Sequence, residues 1–164
     1  MFSADEYEAM QTRLIQPIDA FTRLAVVITG GATALVPLLA ARSGASRHLV
    51  EIVTPYSRAS LADYLQQGSI ERACCQATAV AMARVAHRRA SRYADAPGSP
   101  IGIAVTAIMP SQDERQCEAH LAWHGNSSGH VHLRNDDHLN RADAERWMVH
   151  AIVTKLLCEI FNSR

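Results

Sequence analysis

Two hydroxyls and one imidazole are the side chains of this sequence best placed to do chemistry. Ser46 and Tyr56 stand ten positions apart, and His48 follows the serine by two. An alcohol attacks a carbonyl only when a neighbouring group takes its proton, so Ser46 needs a base, and His48 is the nearest candidate in the chain. If both lie on an extended segment they share a face, with Cα atoms about 6.6 Å apart. That segment must then bend to bring imidazole and hydroxyl within roughly 2.6–3.2 Å. Plainer roles are open to all three. Ser46 reads equally as a turn residue or helix cap, His48 as an exposed or structurally bonded histidine, and Tyr56 as a strand aromatic after Pro55.

Thr29-Gly30-Gly31, between an apolar run and a helix, can present backbone N–H groups to a phosphate or ribose, because helix N-termini favour anions. Thr106, at the end of a later apolar run, has similar standing. Arg58 can hold an anion but cannot act as a base, since a guanidinium keeps its proton. Lys155 is the only lysine in the chain. It borders an apolar stripe, where a lysine lays its stem on the core and its ammonium in water. His120, His124, His130 and His132 invite a metal reading, because 120/124 and 130/132 each share a strand face. No Cys or carboxylate completes a recognised ligand set and an edge hairpin is exposed, so they are read as solvated histidines, with no metal and no cofactor.

The elements that must position these residues follow from periodicity. Residues 4–22 look helical, with Tyr7, Met10, Leu14, Ile15, Ile18 and Phe21 at helical spacing and Pro17 expected to kink or split the segment. Residues 24–28 form a continuous apolar run, as in a strand covered on both faces. A helix through about residue 41, a turn at 43–46 and a second strand over 48–54 come next. Ser57 can cap a short helix ending at 66–68. An alanine-rich helix over about 70–93 offers a small face (Ala73, Ala77, Val80, Ala81, Val85), and Arg84, Arg88, Arg89 and Arg92 crowd its solvated end. A strand over 101–109, a hairpin around residues 125–129 and a closing helix over about 141–161, with Met148, Ile152, Leu156 and Ile160 in one stripe, complete the chain. Alternating strands and helices predict an α/β fold, a three-layer αβα domain over 1–164 with a mixed sheet and the hairpin at one edge. Residues 1–22 form its N-terminal helical segment.

Composition narrows the function classes. The chain has 164 residues, 48% of them hydrophobic, enough for a sizeable core and too many for a disordered chain. Sixteen basic residues balance sixteen acidic ones, so net charge favours no nucleic-acid partner. The acidic start MFSADEYEAM lacks the features of a signal peptide, and Cys74, Cys75, Cys117 and Cys158 show no CxxC spacing, so a reduced cytoplasmic setting is expected. Residues 24–41 carry no charge, but Gly30-Gly31 and Pro37 favour a strand, a turn and a buried helix over a membrane span. No membrane partner is expected.

Gly44-Ala-Ser46 with Tyr56-Ser57 ten residues after the serine resembles the C-terminal domain of CinA, a family that includes nicotinamide-nucleotide amidohydrolases. Further landmarks come in the family's order. Thr29-Gly30-Gly31 follows the first strand, Thr106-Ala-Ile-Met-Pro110 stands where the family has Thr-Gly-Ile-Ala-Gly-Pro, and the closing helix begins near Arg141, where the family has Gly-Asp-Arg. The resemblance implies hydrolysis of a carboxamide to acid and ammonia by a serine, a tyrosine and a lysine. The serine matches Ser46 and the tyrosine Tyr56, but the lysine, five residues later, falls on Leu61. Thr29, Gly30, Gly31, Arg58, Thr106 and Arg141 are the ligand-binding positions it suggests. It also implies a homodimer and a small nucleotide as partner. Leucine moves no proton, so the expected function is a divergent domain with impaired or lost amidase activity and a pocket for a pyridine nucleotide. The alternative is an active amidase with Ser46 as nucleophile and Tyr56, His48 or a water-linked group in place of lysine.

Overall fold

The computed structural model describes residues 2–16, 18–111 and 116–161. Its elements run α1 (Ala4–Ile15), β1 (Thr22–Thr29), α2 (Leu35–Ala40), β2 (Leu49–Val53), α3 (Arg58–Leu65), α4 (Gln76–Tyr93), β3 (Ser99–Ile108), β4 (Cys117–His124), β5 (Ser128–Asn135) and α5 (Arg141–Leu156). The sheet order is β2-β1-β3-β4-β5, with β2, β1 and β3 parallel and β4 and β5 antiparallel. Apolar residues of α1, α2 and α5 pack on one face, with Leu24, Val26 and Ile28 of β1 among them. Those of α3 and α4 pack on the other with Ala25 and Val27. This is the expected three-layer α/β arrangement with a mixed sheet and an edge hairpin. Among the described residues no helix is long and apolar enough to cross a membrane, and the uncharged stretch 24–41 is divided between β1, a turn and α2.

Local hydrogen bonding explains where elements start. Ser3 and Glu6 form a reciprocal capping box on α1, and Arg146 of α5 holds Glu6 at 2.7 Å. The first helix is shorter than expected. The Asp19 carboxylate accepts from the Phe21 N–H at 2.9 Å and the Thr22 hydroxyl at 3.0 Å, which turns the chain into β1 and leaves Phe21 70% exposed rather than in the core. The break expected at Pro17 lies outside the described residues. Ser57 caps α3 by accepting from Ser60 N–H at 3.1 Å, as its position suggests.

α4 differs from expectation in start and face. It begins at Gln76, because residues 69–75 are tied across the sheet: the Thr106 hydroxyl donates to Ala73 C=O at 2.8 Å, and that of Thr78 to Arg72 C=O at 2.7 Å. Its most buried side is Thr78, Ala79, Met82, Ala83, Ala86 and Ala90; of the expected face, Ala73, Val80, Ala81 and Val85 are half-buried against the same cluster and Ala77 is exposed. Alanines occupy two opposite sides of this helix, so small size does not tell which one packs deepest. Contact is closest at Gly102 of β3, where a Cβ would meet Ala83 O and His87 N, both at 2.2 Å. Gly102→Ala must push α4 off the sheet. We expect a loss of about 1–3 kcal/mol in urea unfolding, seen as a lower midpoint with unchanged slope.

Candidate functional site

The chain leaves β1 toward β2 on one side and reaches β3 on the other, so the strand order switches between β1 and β3. In open α/β sheets a ligand crevice forms outside the carboxyl ends of strands at such a switch. Here the crevice has a volume of about 520 Å³ and is lined by Gly30, Gly31, Tyr56, Met109, Arg141 and Glu145 among others. Gly30 has φ +83°, and a Cβ there would stand 1.9 Å from Ala107 O, so only glycine lets the turn after β1 lie against the end of β3.

That turn is held by α5. Glu145 accepts from the Ala32 N–H at 2.8 Å, the Ala34 N–H at 2.9 Å and the Thr33 hydroxyl at 3.2 Å. Two backbone donors just after the expected Thr29-Gly30-Gly31 positions, the N–H groups of Ala32 and Ala34, thus already hold an internal anion. One turn earlier on α5, Arg141 reaches the Tyr56 hydroxyl and Pro110 C=O, each at 3.5 Å. Tyr56 is 62% exposed at this mouth, and Arg58 is exposed at the start of α3. Thr29 and Thr106 pair across β1 and β3, but both are buried. The Thr29 hydroxyl donates to Pro55 C=O at 2.9 Å, and Thr106 is committed to Ala73.

Ser46 lies elsewhere. It is exposed in a 3₁₀ turn (Ala45–Arg47) before β2, whereas Tyr56 follows the far end of that strand. Five strand residues alone span about 16 Å. Ser46 lines a separate basin of about 590 Å³ at the amino ends of the strands, with Arg23, Arg47, His48 and Asp95. Because Ser46 sits in a turn, the extended face shared with His48 does not form. His48 has a buried Nδ1 without a protein partner among the described residues, and burial, then the charge of Arg42, lowers its pKa below the ordinary value. The Arg23 guanidinium is committed to carbonyls of Ala20, Thr22, Arg47, Ala96 and Pro97.

Leu61 is 1% exposed in the core under α3 and α4, with Val27, Leu65 and Met82 in the same cluster. Lys155 stands ten residues beyond Glu145 on α5, about 15 Å along the helix axis. Sequence reasoning missed Glu145 and Met109. The one available signal was that 141 and 145 are a helical turn apart and so face the same way.

The histidines correct another expectation. His120 and Glu118 are each only 8% exposed, and Cys74 is 5% exposed beside them, so a carboxylate and a cysteine do accompany this histidine set. His124 instead packs edge-on against His87. Burial first, and then the Glu118 charge, push the Cys74 thiol up to about 12, which rules it out as a free thiolate nucleophile.

No family model and no curated protein matches this chain in sequence. Solved structures match it in fold. A competence-damaged protein (CinA) superfamily protein from Escherichia coli superposes with a TM-score of 0.71 at 20% identity, covering 96% of this chain and 92% of that one. The competence/damage inducible protein CihA from Agrobacterium tumefaciens gives 0.67 at 17% identity, with 96% of both chains covered. A CinA superfamily protein from Enterobacter cloacae gives 0.68 at 15%, with 92% and 90% covered. The chain therefore has the CinA superfamily fold over nearly its whole length.

Glu145→Ala strips the turn after β1 of its acceptor and leaves two backbone N–H groups without one. We expect a loss of about 1.5–3 kcal/mol in chemical denaturation and faster amide exchange at residues 32–34.

Proposed function

We propose that this chain is a CinA-like ligand-binding domain without amidase activity, and that the crevice beyond β1 and β3 takes a small anionic aromatic molecule of the pyridine-nucleotide class. The observation that carries this reading is the crevice lining. Hydrolysing an amide requires a nucleophile, a proton acceptor and donors for the oxyanion. Among the described residues, no serine, cysteine or lysine lines the crevice. The Glu145 oxygens are occupied by three donors, and the family's lysine position is a core leucine. What the crevice does offer is recognition. Arg141 supplies a permanent cation at the mouth, and the exposed Tyr56 ring beside it supplies a flat surface for a pyridine.

Calorimetric titration with nicotinamide mononucleotide and with its acid form tests the ligand. We expect binding of at least one, weakened about tenfold or more by Arg141→Ala, and no ammonia release. Absence of affinity for both removes the ligand assignment.

A second reading, an amidase using Ser46 with His48 as base, draws on one observation: an imidazole with an unpartnered Nδ1 lines the same basin as the serine. Because β2 separates Ser46 from Tyr56 within a chain, a site using both would need two copies, as in the homodimer the resemblance implies. Ammonia release abolished by Ser46→Ala would establish this reading.

Restoring the family lysine in place of Leu61 should not restore chemistry. Leu61→Lys puts an ammonium into an apolar cluster, and we expect destabilisation of about 3–5 kcal/mol in thermal unfolding with no gain in ammonia release.

A further inference from the structure

The antiparallel register of β4 and β5 sets Glu118, His120 and Ala122 opposite Arg134, His132 and His130, all on the sheet face that carries α4. The segment leading into α4 crosses this face and adds Cys74, whose Sγ is 3.6 Å from Thr106 O and 3.9 Å from Glu118 O. We propose that Cys74 Sγ, a Glu118 carboxylate oxygen, His120 Nε2 and His132 Nε2 form a binding site for a divalent transition metal of the zinc class.

Donor geometry supports this. The ligand atoms of Cys74, Glu118 and His120 lie within 4.8 Å of one another, and all three residues are buried. His120 Nε2 is 3.0 Å and His132 Nε2 3.2 Å from the same Glu118 oxygen, so two imidazoles converge on one carboxylate. In a tetrahedral site with metal–ligand distances near 2.0–2.3 Å, neighbouring ligand atoms stand roughly 3.3–3.6 Å apart. Both nitrogens therefore already stand near ligand spacing from the carboxylate oxygen, and the thiol and the half-exposed His132 ring close the set by moving inward. A mixed sulfur, nitrogen and oxygen set favours zinc over magnesium or calcium, which take oxygen.

The surroundings also match a metal centre. His120 Nδ1 lies 2.9 Å from His130 Nε2, an outer partner that orients the ring and leaves Nε2 for the ion. Among the described residues Glu118 makes no ion pair with an arginine: its cross-strand neighbour Arg134 pairs with Asp136 at 2.6 Å and acts on Glu118 only as a longer-range charge. A buried carboxylate facing two imidazoles and a thiol gathers donors around a position suited to a cation. The His132 side chain is 46% exposed, which gives the ion a way in from the sheet edge. A bound divalent ion takes the buried thiol as a thiolate, since its own charge reverses the local electrostatics. Its effect would be structural: it clips the lead-in of α4 to the hairpin.

Cobalt reports thiolate coordination directly. Full-length protein, reduced and stripped with chelator, is titrated with Co²⁺. We expect a thiolate-to-cobalt charge-transfer band and the strong visible bands of four-coordinate cobalt, both bleached by one equivalent of Zn²⁺. Cys74→Ser should abolish the charge-transfer band, and His130→Gln should weaken Zn²⁺ binding by about 10–100-fold. If Cys74→Ser does not fold, a variant with Cys75, Cys117 and Cys158 changed to serine decides instead, since the band must survive in it. No band in the wild-type protein, a band that persists in folded Cys74→Ser, or Zn²⁺ affinity unchanged by both His120→Gln and His132→Gln would each overturn the site.

Discussion

The Glu145 carboxylate, gripping the turn between β1 and α2 through two backbone N–H groups and a hydroxyl, is the contact on which the crevice depends. It links the amino-terminal part of α5 to the end of β1 and so orients that helix relative to the sheet. Arg141, one turn earlier, is thereby held at the mouth beside Tyr56. The same contact governs which ligand chemistry is open. The Ala32 and Ala34 N–H groups, which would suit a phosphate, are taken by an internal carboxylate, so the guanidinium is the charge left for an incoming anion. A charge-assisted bond of this kind is stronger than a neutral one and is not displaced without an anion of comparable reach.

The chemistry nominated by residue type is dispersed by the fold. Ser46 and Tyr56 sit at opposite ends of β2, in separate basins, and Leu61 is packed in the core. The hydroxyls of Thr29 and Thr106 donate to carbonyls of the loops that lead to α3 and α4. These threonines act as clamps that pull loop backbone onto the ends of two adjacent strands. The crevice thus combines a rigid floor, built by strand ends and glycine contact, with a charged and aromatic rim. Such a lining recognises a ligand more readily than it breaks a bond.

The α4 face of the sheet carries the other concentration of polar groups. Glu118, His120 and Cys74 are buried together near the edge hairpin, while the centre of the same face is small and apolar so that α4 can approach. Gly102 marks that close approach. Toward the edge, where the helix no longer covers the sheet closely, there is space for imidazoles to stack. The rings of His120 and His132 lie 4.5 Å apart and nearly parallel.

Much of the fold was legible in the chain because its causes are local. Residues 24–28 announced an interior strand by being apolar at every position, and Ser57 announced a helix start by its own hydrogen bond. The stripe of Met148, Ile152, Leu156 and Ile160 did turn inward. The deepest face of α4 was only partly legible, since alanines on two opposite sides give no single apolar stripe. The candidate site was legible in its parts, glycine turn, tyrosine and arginine, but not in its assembly. That Ser46 and Tyr56 flank β2 follows from their order in the chain, but what holds the turn before α2 depends on Glu145, more than a hundred residues away. The histidines show the limit most clearly. Alternation along β4 and β5 tells which of them share a face, but burial depends on what lies above that face. Cys74 arrives there from 46 positions before His120, and only the crossing of the segment before α4 over the sheet brings thiol, carboxylate and imidazole into contact.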